Sequence, residues 1–455
     1  MYVKNSLAAW LCVLFLILNS IFINAQELTA LKEEAILAKM EKVADWQLNN
    51  PVRFDVTYKK NGELEQARIL WEGLLTKTRE GFNDKEVFKN IPADWKYFCS
   101  LVGDDATYLE IPQQIKNTLT NKLDVAEEDI VLITMGDGTS KSWEIGAFYA
   151  GLLELSKVSK NSKYFDALKM VGEASKWKLG DRIYHADDHC VGQMYLELYK
   201  KYNEIEMLAN VQMQFDWIIK NPHPQTLRYS DGKNRWSWCD ALFMSPPVWV
   251  KLSSITGDKK YIDYMNEQYS QTYDHLYDKE EKLFYRDDRY YGLKEPNGKK
   301  IFWSRGNGWV ISGLAMILNE YLDDYPGRGK YEKLFKEMAE RILELQPADG
   351  LFRSSLLDPV NYPVPESSST AFFTYAMAWG INNGYLEKEK YLPFILKSWE
   401  ALQGCINEYG KMGYVQLPGS EPGEVHKDWN ATYGAGSFLL AGTEIIKMIK
   451  KNNTY

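Results

Sequence analysis

The chain has 455 residues, 45% hydrophobic and 25% charged, which is the balance of an ordinary globular protein. Its formal net charge of −8 argues against a nucleic-acid partner, which needs a basic surface. Beyond residue 25 the cysteines are Cys99, Cys190, Cys239 and Cys405, with no CxxC pair and no metal-ligand spacing. No metal centre or cofactor is expected, and the thiols read as free and mostly buried.

The first residues are read apart from the rest. Lys4 precedes an apolar run from Leu7 to Ile23 that ends in Asn24-Ala25-Gln26. A basic start, an apolar core and a small residue before polar sequence describe an export signal over residues 1–25, cut after Ala25. The alternative is an uncleaved anchor, because the run is close to spanning length. On the first reading, residues 26–455 form one exported catalytic domain, periplasmic or extracellular, with no stable membrane span once the signal is removed.

A helix is expected near Leu28–Trp46, and after it the pattern breaks. From about Pro51 to Gly136 no comparable helix appears, although apolar runs such as Ile130-Val131-Leu132-Ile133 do. This stretch reads as an insertion that covers a barrel mouth or forms a small subdomain. A rhythm then sets in: a helix of small and aromatic residues, a short turn, and a charged amphipathic helix. The first members begin near Trp143, Asp188, Asp240, Gly306, Ser368 and Asn430. The second members lie near 163–176, 207–219, 261–277, 331–345 and 390–405. A unit recurring every ~45–66 residues is a repeat of helical pairs. With the first helix the total is twelve, which fits an all-α, six-hairpin toroid, the (α/α)6 barrel. An open solenoid is the alternative. Closure is favoured because the small-residue helices are too apolar to line an exposed face.

In such a barrel the inner helices are parallel, so their N-termini share one mouth. The unusual residues fall there: His185-Ala186-Asp187-Asp188-His189, Arg235-Trp236-Ser237-Trp238-Cys239-Asp240, Phe302 to Trp309, and Glu366 to Thr370. Asp and Ser are also preferred helix caps, so Asp188 alone is as readily a cap as a catalyst. Two tryptophans beside Asp240 exceed what a cap requires. Arg305 in the RGNGW run suits a carboxylate ligand through its planar fork. Trp143, His189, Trp238, Trp309 and Ser368 complete the candidate ligand-facing set. Fifteen Trp, thirty Tyr and eighteen Phe make 14% of the chain, matching either sugar stacking or a large aromatic core.

At ADDHCVGQMYLELY (Ala186–Tyr199), WSWCDALFMSPP (Trp236–Pro247) and SRGNGWV (Ser304–Val310), in that order, the sequence resembles glycoside hydrolase family 105 and more distantly family 88, the unsaturated uronyl hydrolases. The likeness covers most of the chain outside the insertion. It implies an (α/α)6 barrel and places the general acid/base at Asp240. The second aspartate matches Asp188 best, with Asp187 one residue away. The arginine and tryptophan of the RGNGW motif fall on Arg305 and Trp309. One departure stands out: many members carry a Tyr-His segment after the third hairpin, where this chain has Phe284-Tyr285-Arg286-Asp287. The implied substrate is an oligosaccharide with a terminal 4,5-unsaturated uronate. The implied chemistry is vinyl-ether hydration, with Asp240 protonating C4 and water adding at C5. Two rivals share the same residues: a glycosidase of saturated sugars with Asp188 and Asp240 as acid and base, and a non-catalytic glycan-binding protein.

Overall fold

A computed structural model describes residues 32–49, 53–70, 120–121, 123–135, 141–321 and 325–452. The expected export signal and Cys99 lie outside the described residues. Along the chain, α1 (Glu33–Asn49) is an outer helix, α2 (Trp143–Val158) an inner one and α3 (Lys163–Ala174) outer. The next inner helix is broken into α4 (Ala186–His189) and α5 (Gly192–Tyr202), followed by outer α6 (Glu206–Lys220). The third inner helix is also broken, into α7 (Ala241–Met244) and α8 (Pro246–Thr256), and α9 (Lys260–Leu276) backs it. Inner α10 (Ser304–Glu320), outer α11 (Arg328–Glu344), inner α12 (Ser367–Asn382), outer α13 (Lys388–Gln403) and inner α14 (Thr432–Asn452) complete the series. With each broken helix counted once, the described residues hold the expected twelve.

The ring is closed. Each inner helix packs on the next, and α14 packs on α2. Close approach at that seam explains the small residues: a Cβ on Gly151 would lie 2.1 Å from the Gly436 carbonyl oxygen, and one on Gly436 2.4 Å from that of Ala147. The first outer helix, α1, packs mainly on α14, so the N-terminal helix supplies the outer partner of the last inner one.

The inner helices are also parallel. Glu154, Glu197, Lys251, Glu320, Trp379 and Glu444, one from each inner helix and all from its C-terminal part, line a single cavity of about 130 Å³. That cavity marks the closed end of the barrel. Opposite it lie the six N-termini.

The break in the third inner helix follows from Pro246-Pro247. Pro247 has no N–H, so the Phe243 carbonyl loses its helical donor. The Gln193 amide donates to that carbonyl at 2.9 Å, tying the two broken helices together.

Within the expected insertion, β1 (Arg53–Lys60) and β2 (Glu63–Leu70) form an antiparallel hairpin around Asn61 (φ 54°) and Gly62 (φ 84°). The Ile130-Val131-Leu132-Ile133 run belongs to β3 (Ile130–Met135), which pairs antiparallel with β1 in a sheet of order β2-β1-β3. Two further short strands, β4 (Tyr277–Asp278) and β5 (Leu283–Phe284), form a hairpin between α9 and α10. Among the described residues, no helix is long and apolar enough to cross a membrane.

Candidate active site

The first turns of the inner helices meet through aromatic rings. Trp143, half-buried, stacks on Tyr433 at 5.3 Å and meets Trp309 edge-on at 6.1 Å. Trp309 is fully buried, packs on Phe243 and Phe372, and leaves its indole N–H without a hydrogen-bond partner. Beside this floor lie the carboxyl groups.

Asp240 stands at the N-terminus of α7 and is 8% exposed. Its Oδ2 accepts from the Cys239 thiol at 3.5 Å and lies 3.4 Å from Arg286 Nε. Burial pushes the Cys239 thiol well up, so it stays a protonated donor. Arg286 is fixed on several sides. Its guanidinium lies 5.0 Å over the Tyr229 ring and donates to Asp287 at 2.7 Å. Its carbonyl accepts from the Cys239 N–H at 2.8 Å. Asp287 is in turn gripped by Arg289 at 2.8 and 2.9 Å. Burial opposes ionisation of Asp287, but Arg289 and Arg286 hold it below the usual carboxylate range.

Asp187, on α4, is the carboxyl group electrostatically coupled to Asp240. Burial and then the Asp240 charge push it up to about 7, against the opposing pull of Arg182 and Lys233. Asp187 therefore holds its proton well above the usual carboxylate range. His185 lies next to it, with Nδ1 3.7 Å from Asp187 Oδ2 and its ring 5.0 Å from that of Trp238. Its exposure is 4%, and neither ring nitrogen has a hydrogen-bond partner. Burial, then the Arg182 and Lys233 cations, lower its pKa to about 2, so the imidazole is neutral.

Several expected site residues are placed otherwise. Asp188 accepts from the Arg182 backbone N–H at 2.8 Å and from its guanidinium at 3.0 and 2.5 Å. A Cβ on Gly180 would lie 2.4 Å from its carboxyl carbon, so Asp188 locks the 180–182 turn onto α4. Successive helical residues point about 100° apart, and only one of the two aspartates can face the axis. His189 bonds Ser245 Oγ at 2.7 Å and the Ile183 carbonyl at 2.8 Å, stitching together the breaks of the two inner helices. Both of its nitrogens are engaged, and burial lowers its pKa to about 4. Ser368 is fully buried and donates to Glu366, whose carboxylate caps α12 through the N–H groups of Ser368 and Ser369. Arg305 is 1% exposed and donates to the carbonyls of Gln416 and Leu417 at 2.5 and 2.9 Å. Both terminal nitrogens hold this loop rather than facing the pocket. Trp238 is buried against His185. His185, Tyr229 and Lys233 were not singled out from the sequence as ligand-facing, and Arg286 was visible there only as a departure from the Tyr-His pattern.

This arrangement of a carboxyl pair, one member pushed toward its protonated form, beside aromatic rings and a neutral imidazole suits proton transfer to a bound sugar. The family model for Glycosyl Hydrolase Family 88 matches residues 113–449. The chain belongs to glycosyl hydrolase family 88. It is a glycoside hydrolase of the group to which the three motifs point. An "Unsaturated 3S-rhamnoglycuronyl hydrolase" of Formosa agariphila is 43% identical over 319 residues, covering 67% of this chain and 84% of that protein. A protein of the same name from Alteromonas sp. (strain LOR) is 34% identical, covering 68% and 78%. Among solved structures, a glycosyl hydrolase family 88 protein from Bacteroides vulgatus is 30% identical, with a TM-score of 0.63 over 67% of this chain and 92% of that one.

Proposed function

We propose that this hydrolase removes the 4,5-unsaturated uronic acid from the non-reducing end of lyase-generated oligosaccharides in which the next sugar is a rhamnose. Export by the signal over residues 1–25 would bring it to such fragments outside the cytoplasm. The rhamnose follows from the names of the two relatives at 43% and 34% identity. The observation that carries the chemistry is the half-buried Asp187, pushed up to about 7 by desolvation and by the charge of the buried Asp240.

In this reading the proton held by Asp187 passes to Asp240, which delivers it to C4. The π electrons form the new C4–H bond and leave positive charge shared by C5 and the ring oxygen. Water adds at C5, and its proton returns to the carboxyl pair. One site thus acts as acid and then as base. The C5 hemiketal opens to a ketone, and the hemiacetal left at C1 expels the neighbouring sugar as an alcohol. One water is consumed in total. Trp143, stacked on Tyr433 and half-buried, offers an apolar face to the ring.

The test is spectroscopic. An unsaturated uronyl-rhamnose disaccharide should lose its double-bond ultraviolet absorbance on addition of the enzyme, while the saturated counterpart stays intact. Cleavage of the saturated disaccharide at a comparable rate would refute the hydration reading.

A further inference from the structure

Resting on the function proposed above, we propose that Arg286 is a positioning residue of the reaction: it clamps Asp240 through Oδ2 and leaves Oδ1 as the oxygen that passes the proton to C4. Asp240 Oδ2 has two neighbours, Arg286 Nε at 3.4 Å and the Cys239 thiol at 3.5 Å. Among the described residues Oδ1 has none, and the carboxylate caps no backbone N–H of α7. A carboxyl group gripped at one oxygen presents the other to a sugar.

The clamp is fixed through main chain and side chain alike. Asn307, of the RGNGW run, accepts from the Phe284 N–H at 2.8 Å and donates to the Phe284 carbonyl at 3.1 Å, which ties the end of β5 to α10. Two residues on, the Arg286 carbonyl accepts from the Cys239 N–H at 2.8 Å, so its main chain is bound to the residue before Asp240. The Arg286 side chain is 8% exposed, with Nη1 on Asp287 at 2.7 Å and the guanidinium 5.0 Å from the Tyr229 ring. The residue belongs to the segment where the chain departs from the family's Tyr-His pattern. An arginine there supplies a permanent charge, which a histidine carries only when protonated.

That charge is not spare for the uronate. Arg286 and Arg289 face Asp240 and Asp287, two cations against two carboxylates. The contact with Asp240 is an ion pair with no hydrogen bond formed at Nε, so it has room to tighten. While Asp240 holds the proton, the attraction is lost. As the proton leaves Oδ1 and the π electrons close the C4–H bond, the carboxylate regains its charge beside the guanidinium. The interaction strengthens as the transition state forms, and therefore acts on kcat rather than on KM.

Turnover of an unsaturated uronyl-rhamnose disaccharide tests this. Arg286→Gln should lower kcat roughly 10²-fold with KM moved less than about threefold. Arg286→Lys, which keeps the charge without the planar fork, should recover part of the loss. Added ethylguanidinium should restore part of the kcat of Arg286→Ala and leave the native enzyme unchanged, a response that a merely structural arginine does not give. A raised KM at held kcat makes Arg286 a ligand of the uronate, and a loss that neither lysine nor ethylguanidinium recovers makes it structural. Either result overturns the assignment. Inactivity of the native enzyme on the disaccharide overturns the proposed reaction instead. The clamp is then decided by a crystal structure of Arg286→Gln, in which the Asp240 carboxylate should leave its native rotamer; an unmoved Asp240 overturns it.

Discussion

The two ends of this barrel are built from the same kinds of residue and put them to opposite use. At the closed end, Glu154, Glu197, Glu320 and Glu444 interleave with Lys157, Lys200, Lys251 and Lys447. Glu197 alone faces Lys157 at 3.0 Å, Lys200 at 3.2 Å and also Lys251. Burial penalises these carboxylates, yet the lysines win: Glu154 is lowered to about 2 by Lys157 and Lys447, and Glu197 lies below the usual range. At the open end, Asp187 faces another carboxylate and is pushed up to about 7, while His185 has no hydrogen-bond partner at all. The difference teaches that burial alone does not make a reactive acid. What matters is whether the neighbouring charge is opposite or like.

The comparison breaks most visibly at Asp240. Asp240→Asn should fold normally and lose turnover by roughly 10²–10⁴-fold. Near-normal activity of a folded variant, read by absorbance loss, would remove Asp240 from the mechanism.

Asp187→Asn should also cripple turnover, and it sharpens the comparison through pH. A carboxyl whose folded pKa is raised binds its proton more tightly when folded, so its contribution to stability falls as pH rises from about 4 to about 7. The asparagine variant should therefore gain stability over the native chain across that window and keep a constant margin above it. Native turnover should decline as pH rises through about 7, where Asp187 loses its proton. Denaturant titrations at several pH values, beside a pH–rate profile, check both.

At the closed end the expected outcome reverses. Glu197→Gln removes one charge partner from each of three lysines, which keep only Glu154 or Glu320, and should cost about 1–3 kcal/mol of stability, with kcat unchanged. The smallest effect is expected at Arg305. Lysine can reach one loop carbonyl where arginine reaches two, so Arg305→Lys should cost about 1 kcal/mol with KM moved only a few-fold. A large rise in KM at unchanged stability would return Arg305 to the substrate.

The barrel was legible because its inner helices need small residues at the seams, and Gly151 and Gly436 show why. The sheet in the insertion was not read, although Asn61-Gly62 between two strands is a recognised hairpin signal. Asp240 was legible because two tryptophans flank it. The remaining residues of the mouth were harder, since caps and catalysts draw on the same residue types. Ser368 serves the α12 cap, His189 the helix breaks and Asp188 the 180–182 turn. The choice between Asp187 and Asp188 could not be read from a helix of four residues, which is too short to display a face. Tyr229 lies in a loop with no periodicity to mark it, and only the fold brings it under Arg286, beside Asp240.

The most direct test of a hydration carried out by the open-end carboxyl pair is to run the reaction in heavy-oxygen, deuterated water, reduce the product with borohydride at early times, and locate the label. Solvent hydrogen at C4 and solvent oxygen at C5, with the C1 oxygen unlabelled, is the expected result. Solvent oxygen at C1 with no deuterium at C4 would contradict the account and make this site an ordinary displacement glycosidase.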